Sequence, residues 1–187
     1  VSAAAEKRVV LQAASLCLQY PDVAVRATWP LARRAVSELP PDRPAERLSA
    51  FLDAAEAFPS NDLAAHYVEV FDTRRRCCLY LTWWTDGETR RRGGALAALK
   101  ARYRAAGVEL GGGELPDFLP IVLEFTALAD LAGGLELLAE HRAGLGLLRL
   151  ALLETGTPYA RVLEAVCALL PGPSPTDVAA ARALART

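Results

Sequence analysis

From Phe118 onward, apolar side chains recur at 118, 121, 122, 125 and 128, and Leu119, Leu123 and Leu131 fill much of the opposite face. A helix that is apolar on nearly all sides belongs in the interior. The pattern predicts a buried central helix over 116–131. Pro116 suits its first turn, where a missing N–H costs nothing, and Asp117 suits the positive end of the helix dipole. The glycines at 111–113 read as a hinge leading into it. Glu124 alone interrupts the apolar run, and a carboxylate among apolar neighbours needs a partner. It is expected to be partly buried and bonded to an arginine or to backbone N–H groups.

The remaining chain reads as helices punctuated by proline and glycine. One is predicted over 3–20, with Val9, Ala13, Leu16, Cys17 and Tyr20 on one stripe. Pro21-Asp22 starts a short piece, and Pro30 starts another that closes near 39. A helix running to Phe58 follows the Pro40-Pro41-Asp42 turn, and Ser60 is the expected cap of a helix over 61–71. Over 73–87 the periodicity breaks, and Tyr80, Trp83 and Trp84 make this the least regular and most aromatic stretch. Helices are then predicted over 88–106, stopped by Gly107, over 133–154 with Gly144 and Gly146 as kink points, over 158–170 and over 176–185. Sustained period-two alternation is missing. The expected fold is all-α, a single domain over 1–187 of about eight to ten helices around 116–131, with loops or hinges at 73–87 and 107–116.

Composition sharpens this picture. Apolar residues are 52% of 187, dominated by Ala and Leu, which favours helix over strand. A domain of this length buries about 70% of its unfolded surface. The stretch after Lys7-Arg8 is interrupted by Gln12, Ser15 and Gln19, so it is too polar to span a membrane. Leu16 stands where a lipoprotein cleavage site wants a small residue. Neither export nor a membrane anchor is expected, and the four cysteines, without CxxC spacing, read as reduced thiols.

Charge is uneven. Nine basic residues lie between Arg74 and Arg104 against Asp86 and Glu88, a local balance of +7 within a chain of net charge −1. A solvated face is one reading. The others are a basic rim around an aromatic patch that receives a partner, and a nucleic-acid-binding module built on 74–104. The modest overall charge and the lack of a recognition-helix pattern weigh against the last.

Catalytic and metal motifs are missing: there is no GxxxxGK[ST], no HExxH and no GxSxG. Two histidines and four scattered cysteines make neither a structural zinc site nor another metal site. His66, on a helix of apolar period, reads as a packed histidine. No catalytic residue and no cofactor are expected.

Several blocks stand in order along the chain: Leu16-Cys-Leu-Gln-Tyr-Pro-Asp22, His66-Tyr-Val-Glu-Val-Phe-Asp72, Arg90-Arg-Arg-Gly-Gly-Ala-Leu96, Tyr103-Arg-Ala-Ala-Gly-Val-Glu-Leu110 and Glu114-Leu-Pro-Asp-Phe-Leu-Pro-Ile-Val-Leu-Glu-Phe125. Together they resemble the NarJ-type chaperones, the delta subunit of respiratory nitrate reductase, within the broader TorD-like family. The resemblance covers about 10–130. It implies a cytoplasmic, all-helical, non-catalytic assembly chaperone, monomeric or dimeric by helix swapping, with no stable membrane association and no nucleic-acid partner. Its implied partner is the nitrate reductase catalytic (alpha) subunit or another molybdoenzyme, bound through the N-terminal segment before molybdenum cofactor insertion. The broader family often has His after Pro-Asp. Here that position is Phe118, so a role for the histidine does not carry over.

A peptide-binding surface needs exposed aromatic anchors. Tyr67, Phe71, Tyr80, Trp83, Trp84 and Phe118 are the candidate anchors, with Arg75, Arg76 and Asp117 at the rim. Simple core packing is the alternative for the tryptophans. Pro116, Pro120 and Glu124 are the candidate structural or hinge residues.

Overall fold

The computed structural model describes residues 2–184, the side chain of Ser60 excepted. Among these residues the elements are α-helices with two short irregular turns, and an isolated antiparallel bridge between Tyr80 and Phe118 replaces any strand. The helices are α1 (Ala3–Leu18), α2 (Val23–Ser37), α3 (Arg43–Ala57), α4 (Ser60–Tyr67), α5 (Leu81–Asp86), α6 (Arg90–Ala105), α7 (Leu119–Leu128), α8 (Leu131–Glu140), α9 (Arg142–Glu154), α10 (Tyr159–Ala168) and α11 (Val178–Leu184). A π-turn, Val68–Asp72, extends α4, and a 3₁₀ turn, Arg75–Cys77, precedes α5. The all-α expectation holds. No helix among the described residues is long and apolar enough to cross a membrane.

Local chemistry accounts for several of the helix starts. Ser2, Asp22, Asp42 and Asp130 each accept a hydrogen bond from a backbone N–H of the first turn of α1, α2, α3 and α8. Pro44 stands in the first turn of α3, where it disturbs nothing. Gly107 takes φ +76° after α6, and its N–H reaches Arg104 O at 2.9 Å, so it closes that helix as the sequence predicts.

The core is shared by α1, α7 and α10, with α1 packed against both of the others. Ser15 Oγ donates to Pro120 O at 2.8 Å, and Arg8 Nη1 donates to Ala127 O. The two contacts run in opposite sequence directions, so α1 and α7 are antiparallel. Arg8 places its charge at the negative end of α7. Val122 and Phe125 are buried, as the central-helix reading requires.

Several details differ from the sequence reading. The helix expected over 133–154 is two, α8 and α9, parted at His141 rather than kinked at Gly144 or Gly146. Residues 116–131 are not one helix: α7 begins at Leu119, with Pro120 rather than Pro116 in its first turn. Asp130 then leaves helical geometry to cap α8. Glu124 is exposed and has no partner among the described residues, because it shares a solvent-facing stripe with the exposed Leu128. Pro30 does not start a helix. It lies inside α2 on the exposed face, while Trp29 and Ala32 turn inward. Finally, Pro59 occupies the cap position of α4, and Ser60 is its first helical residue.

Candidate functional site

One cavity of about 480 Å³ gathers most of the aromatic residues near the ends of α1, α4 and α7. Its floor begins with the Tyr80–Phe118 bridge. Leu81 N–H donates to Asp117 O at 2.9 Å and Leu119 N–H donates to Leu79 O at 2.8 Å. This single ladder step places the two rings 5.3 Å apart at the same mouth. Directly opposed residues of an antiparallel pair share a face, so both rings must point the same way.

The second wall comes from α4 and its π-turn. Tyr67 and Phe71, four residues apart, have centroids 4.7 Å apart. The Thr73 N–H reaches back to Val68 O at 3.2 Å, which inserts an extra residue and turns Asp72 toward the cavity. Tyr20, after α1, stands edge-on to Tyr67 at 5.6 Å, and Tyr67 Oη donates to Leu18 O at 3.0 Å. Val25 and Leu79 complete the apolar lining, with Gln19 beside them.

Three carboxylates edge this aromatic lining, and no basic side chain is among the lining residues. Asp22 also caps α2, accepting from Val25 N–H at 2.8 Å. Glu114 accepts from Tyr80 Oη at 2.9 Å. Asp72 is exposed and has no partner among the described residues. Burial, and then the nearby acids, push the Tyr67 hydroxyl above its ordinary range. Burial and the hydrogen bond to Glu114 do the same for Tyr80. Both phenols therefore stay protonated donors, and the negative charge of the cavity rests on the carboxylates. An apolar ligand carrying positive charge matches this lining.

Of the sequence-predicted residues, Tyr67, Phe71, Tyr80 and Phe118 meet here. Tyr67 and Phe71 are buried in the wall rather than exposed, because α4 and its π-turn pack them against the core; Tyr80 and Phe118 are the half-buried ones. Trp83, Trp84, Arg75 and Arg76 do not line this cavity. Trp84 is half-buried, with Nε1 donating to Cys78 O at 3.1 Å and its ring base against Gly144 of α9. A Cβ on Gly144 would lie 2.6 Å from Trp84 Cβ, so glycine there permits the contact. Trp83 is half-buried with the Arg75 guanidinium 6.0 Å from its ring centre, and Arg76 pairs with Glu154 at 3.3 Å. Asp117 is not at a rim. It is fully enclosed, because its carboxylate points back to Thr82 and Arg92.

Of the nine basic residues in 74–104, Arg74, Arg76, Arg92 and Arg102 pair with carboxylates of the chain itself. That stretch is therefore less of a free cationic face than its sequence implies. His66 is the packed residue the sequence predicts, stacked 5.5 Å from Phe58 and hydrogen-bonded to Thr157 at 2.8 Å. The four cysteines are free thiols. Burial pushes the Cys167 thiol up to about 11, which keeps it protonated and unreactive.

Tyr20, Asp22, Asp72 and Glu114 were not singled out by sequence reasoning. A signal existed: each stands at or near an edge of one of the ordered blocks, outside regular helix or at its end, and is exposed.

The site defines a helical protein with a preformed aromatic and acidic groove. The family model for the nitrate reductase delta subunit matches residues 38–164, and the chain belongs to that family. It is 40% identical over 171 residues to the nitrate reductase-like protein NarX of Mycobacterium tuberculosis, covering 85% of this chain and 24% of NarX. The chain thus spans about a quarter of that relative's length. It is 30% identical to the probable nitrate reductase molybdenum cofactor assembly chaperone NarJ of Bacillus subtilis, over 88% of this chain and 90% of that one. Identity to the Escherichia coli K12 nitrate reductase molybdenum cofactor assembly chaperone NarJ is 33%, over 80% and 64%.

Proposed function

We propose that this protein is a cytoplasmic, non-catalytic assembly chaperone that takes the N-terminal segment of a nitrate reductase catalytic subunit into the groove between Tyr20, Tyr67, Phe71, Tyr80 and Phe118. Holding that segment keeps the catalytic subunit open for molybdenum cofactor insertion and off the membrane until it is loaded. The observation that carries this reading is the groove's lining, five aromatic rings edged by Asp22, Asp72 and Glu114. Family membership and the names of the Bacillus subtilis and Escherichia coli relatives support the choice of client.

The chemistry follows from the lining. Apolar anchors of the client segment leave water for the aromatic floor, at about 25 cal/mol per Å² buried, and this sets the dissociation rate. The carboxylates favour a segment that carries lysine or arginine beside those anchors, and they act mainly on association. Calorimetric titration with a synthetic peptide from the N-terminus of a nitrate reductase catalytic subunit tests this. Saturable binding is expected, weakening as salt rises. A parent protein that ignores the peptide, or binds it more tightly in high salt, overturns the reading.

A further inference from the structure

Among the described residues, Asp117 is the only fully enclosed ionisable carboxylate. Its Oδ2 accepts from Thr82 Oγ1 at 2.5 Å and from Thr82 N–H at 3.2 Å, and Arg92 Nη2 lies 3.6 Å away. Arg92 Nε in turn donates to Thr82 Oγ1 at 3.1 Å, and its guanidinium sits 5.8 Å from the Tyr80 ring centre. Its Oδ1 has no hydrogen-bond partner among the described residues. A carboxylate satisfied on one side only is an expensive way to hold a fold together.

The location explains what it holds. Asp117 immediately precedes Phe118, and Thr82 follows Tyr80 by two residues. The Asp117 backbone oxygen also accepts the Leu81 N–H, one half of the bridge under the groove. Side chain and backbone of one residue therefore grip the segment bearing Tyr80 from two directions. Asp117 itself does not line the groove.

We infer that Asp117 is a positioning residue for the groove: by gripping Thr82 and Arg92 it fixes Tyr80 against Phe118. It never touches the ligand. Through Arg92 the same carboxylate ties the first turn of α6 to the groove floor, so movement of α6 loosens the Tyr80–Phe118 pair. This inference rests on the groove reading above, and its test separates the two.

The test uses the full chain with Asp117→Asn, Thr82→Val and Thr82→Ser. Amide hydrogen exchange at Leu81 and Leu119, the two bridge donors, is compared with that at Val162 and Leu163 in α10. Thr82→Val is expected to speed exchange at the bridge by about tenfold or more while α10 stays within about twofold, the pattern of local opening. Thr82→Ser keeps the hydroxyl and is expected to restore the parent pattern. Asp117→Asn should resemble Thr82→Val if it folds, and the threonine pair decides the matter if it does not. Titration with the client peptide should show affinity falling about fivefold or more in Thr82→Val and recovering in Thr82→Ser. Equal acceleration everywhere, no acceleration, no rescue by serine, or a loosened bridge with unchanged peptide affinity each overturns the inference. If the parent fails to bind the peptide, the groove reading falls, and exchange still decides whether Asp117 holds Tyr80 against Phe118.

Discussion

Tyr80 and Trp84 are four residues apart, yet they belong to two regions that treat aromatic side chains in opposite ways. Around Tyr80, rings from the ends of α1, α4 and α7 meet with carboxylates at their edge and leave a cavity open. Around Trp83 and Trp84, the rings are taken up by the fold: Trp84 against Gly144 and Cys78 O, Trp83 beside Arg75. The lesson is about competition for partners. An aromatic residue on an irregular segment stays accessible only where no helix of its own chain closes over it. Here α9, with glycine at the contact, closes over Trp84, whereas Tyr80 and Phe118 line the open cavity.

The largest expected effect lies on the tryptophan side. Trp84→Ala removes a ring wedged between α5 and α9 and should cost about 2–3 kcal/mol of stability, somewhat below the value for a fully buried tryptophan. Urea unfolding measures this. The folded variant should bind the client peptide within about twofold of the parent. A stable Trp84→Ala protein with lost affinity would erase the distinction between the two regions.

Next come the groove rings. Tyr80→Ala and Phe118→Ala should each weaken the peptide by about tenfold or more, since a few buried rings carry most of such an interface. The loss should appear in the dissociation rate, read by surface plasmon resonance. Unchanged binding in both variants, with helicity retained by circular dichroism, would move the docking surface elsewhere.

The comparison also shows where the sequence stops being legible. Caps, glycine stops and apolar periodicity are local, and they placed most helices to within a few residues. The start of α7 was not local. Leu115-Pro116 and Leu119-Pro120 both offer a proline for a first turn, and the choice is made by pairing with 79–81, far away in sequence. Glu124 misled for a related reason: apolar neighbours along the chain are not neighbours on the helix surface, and its stripe faces water with Leu128. Tyr67, Phe71, Tyr80 and Phe118 lie together because two of them share a helix and its π-turn, and two are bridge partners. Asp22 and Asp72 escaped notice because each opens or closes an element, where an acid ordinarily reads as a cap, and Glu114 because it lies in the loop before α7. Glu124→Gln tests the corrected placement: stability should change by no more than about 0.5 kcal/mol, as for other exposed substitutions. A larger loss in urea unfolding would restore a buried partner for Glu124.

The smallest effect divides the two regions by charge. Asp72 edges the groove without a partner among the described residues, and Arg75 lies exposed beside Trp83. If a cationic segment enters the acidic groove, Asp72→Asn removes an attraction, while Arg75→Ala removes at most a distant repulsion. Asp72→Asn should weaken the peptide about two- to fourfold at low salt, by slowing association. Near 0.5 M salt, where screening acts within about 4–5 Å, the difference should vanish. Arg75→Ala should stay within about twofold of the parent at both salt levels, since a solvent-exposed charge away from the contact is well screened. Calorimetry at the two ionic strengths reads both variants. The opposite ranking, with Arg75→Ala losing more than Asp72→Asn, would place the client on the basic tryptophan segment and make the acidic groove a bystander.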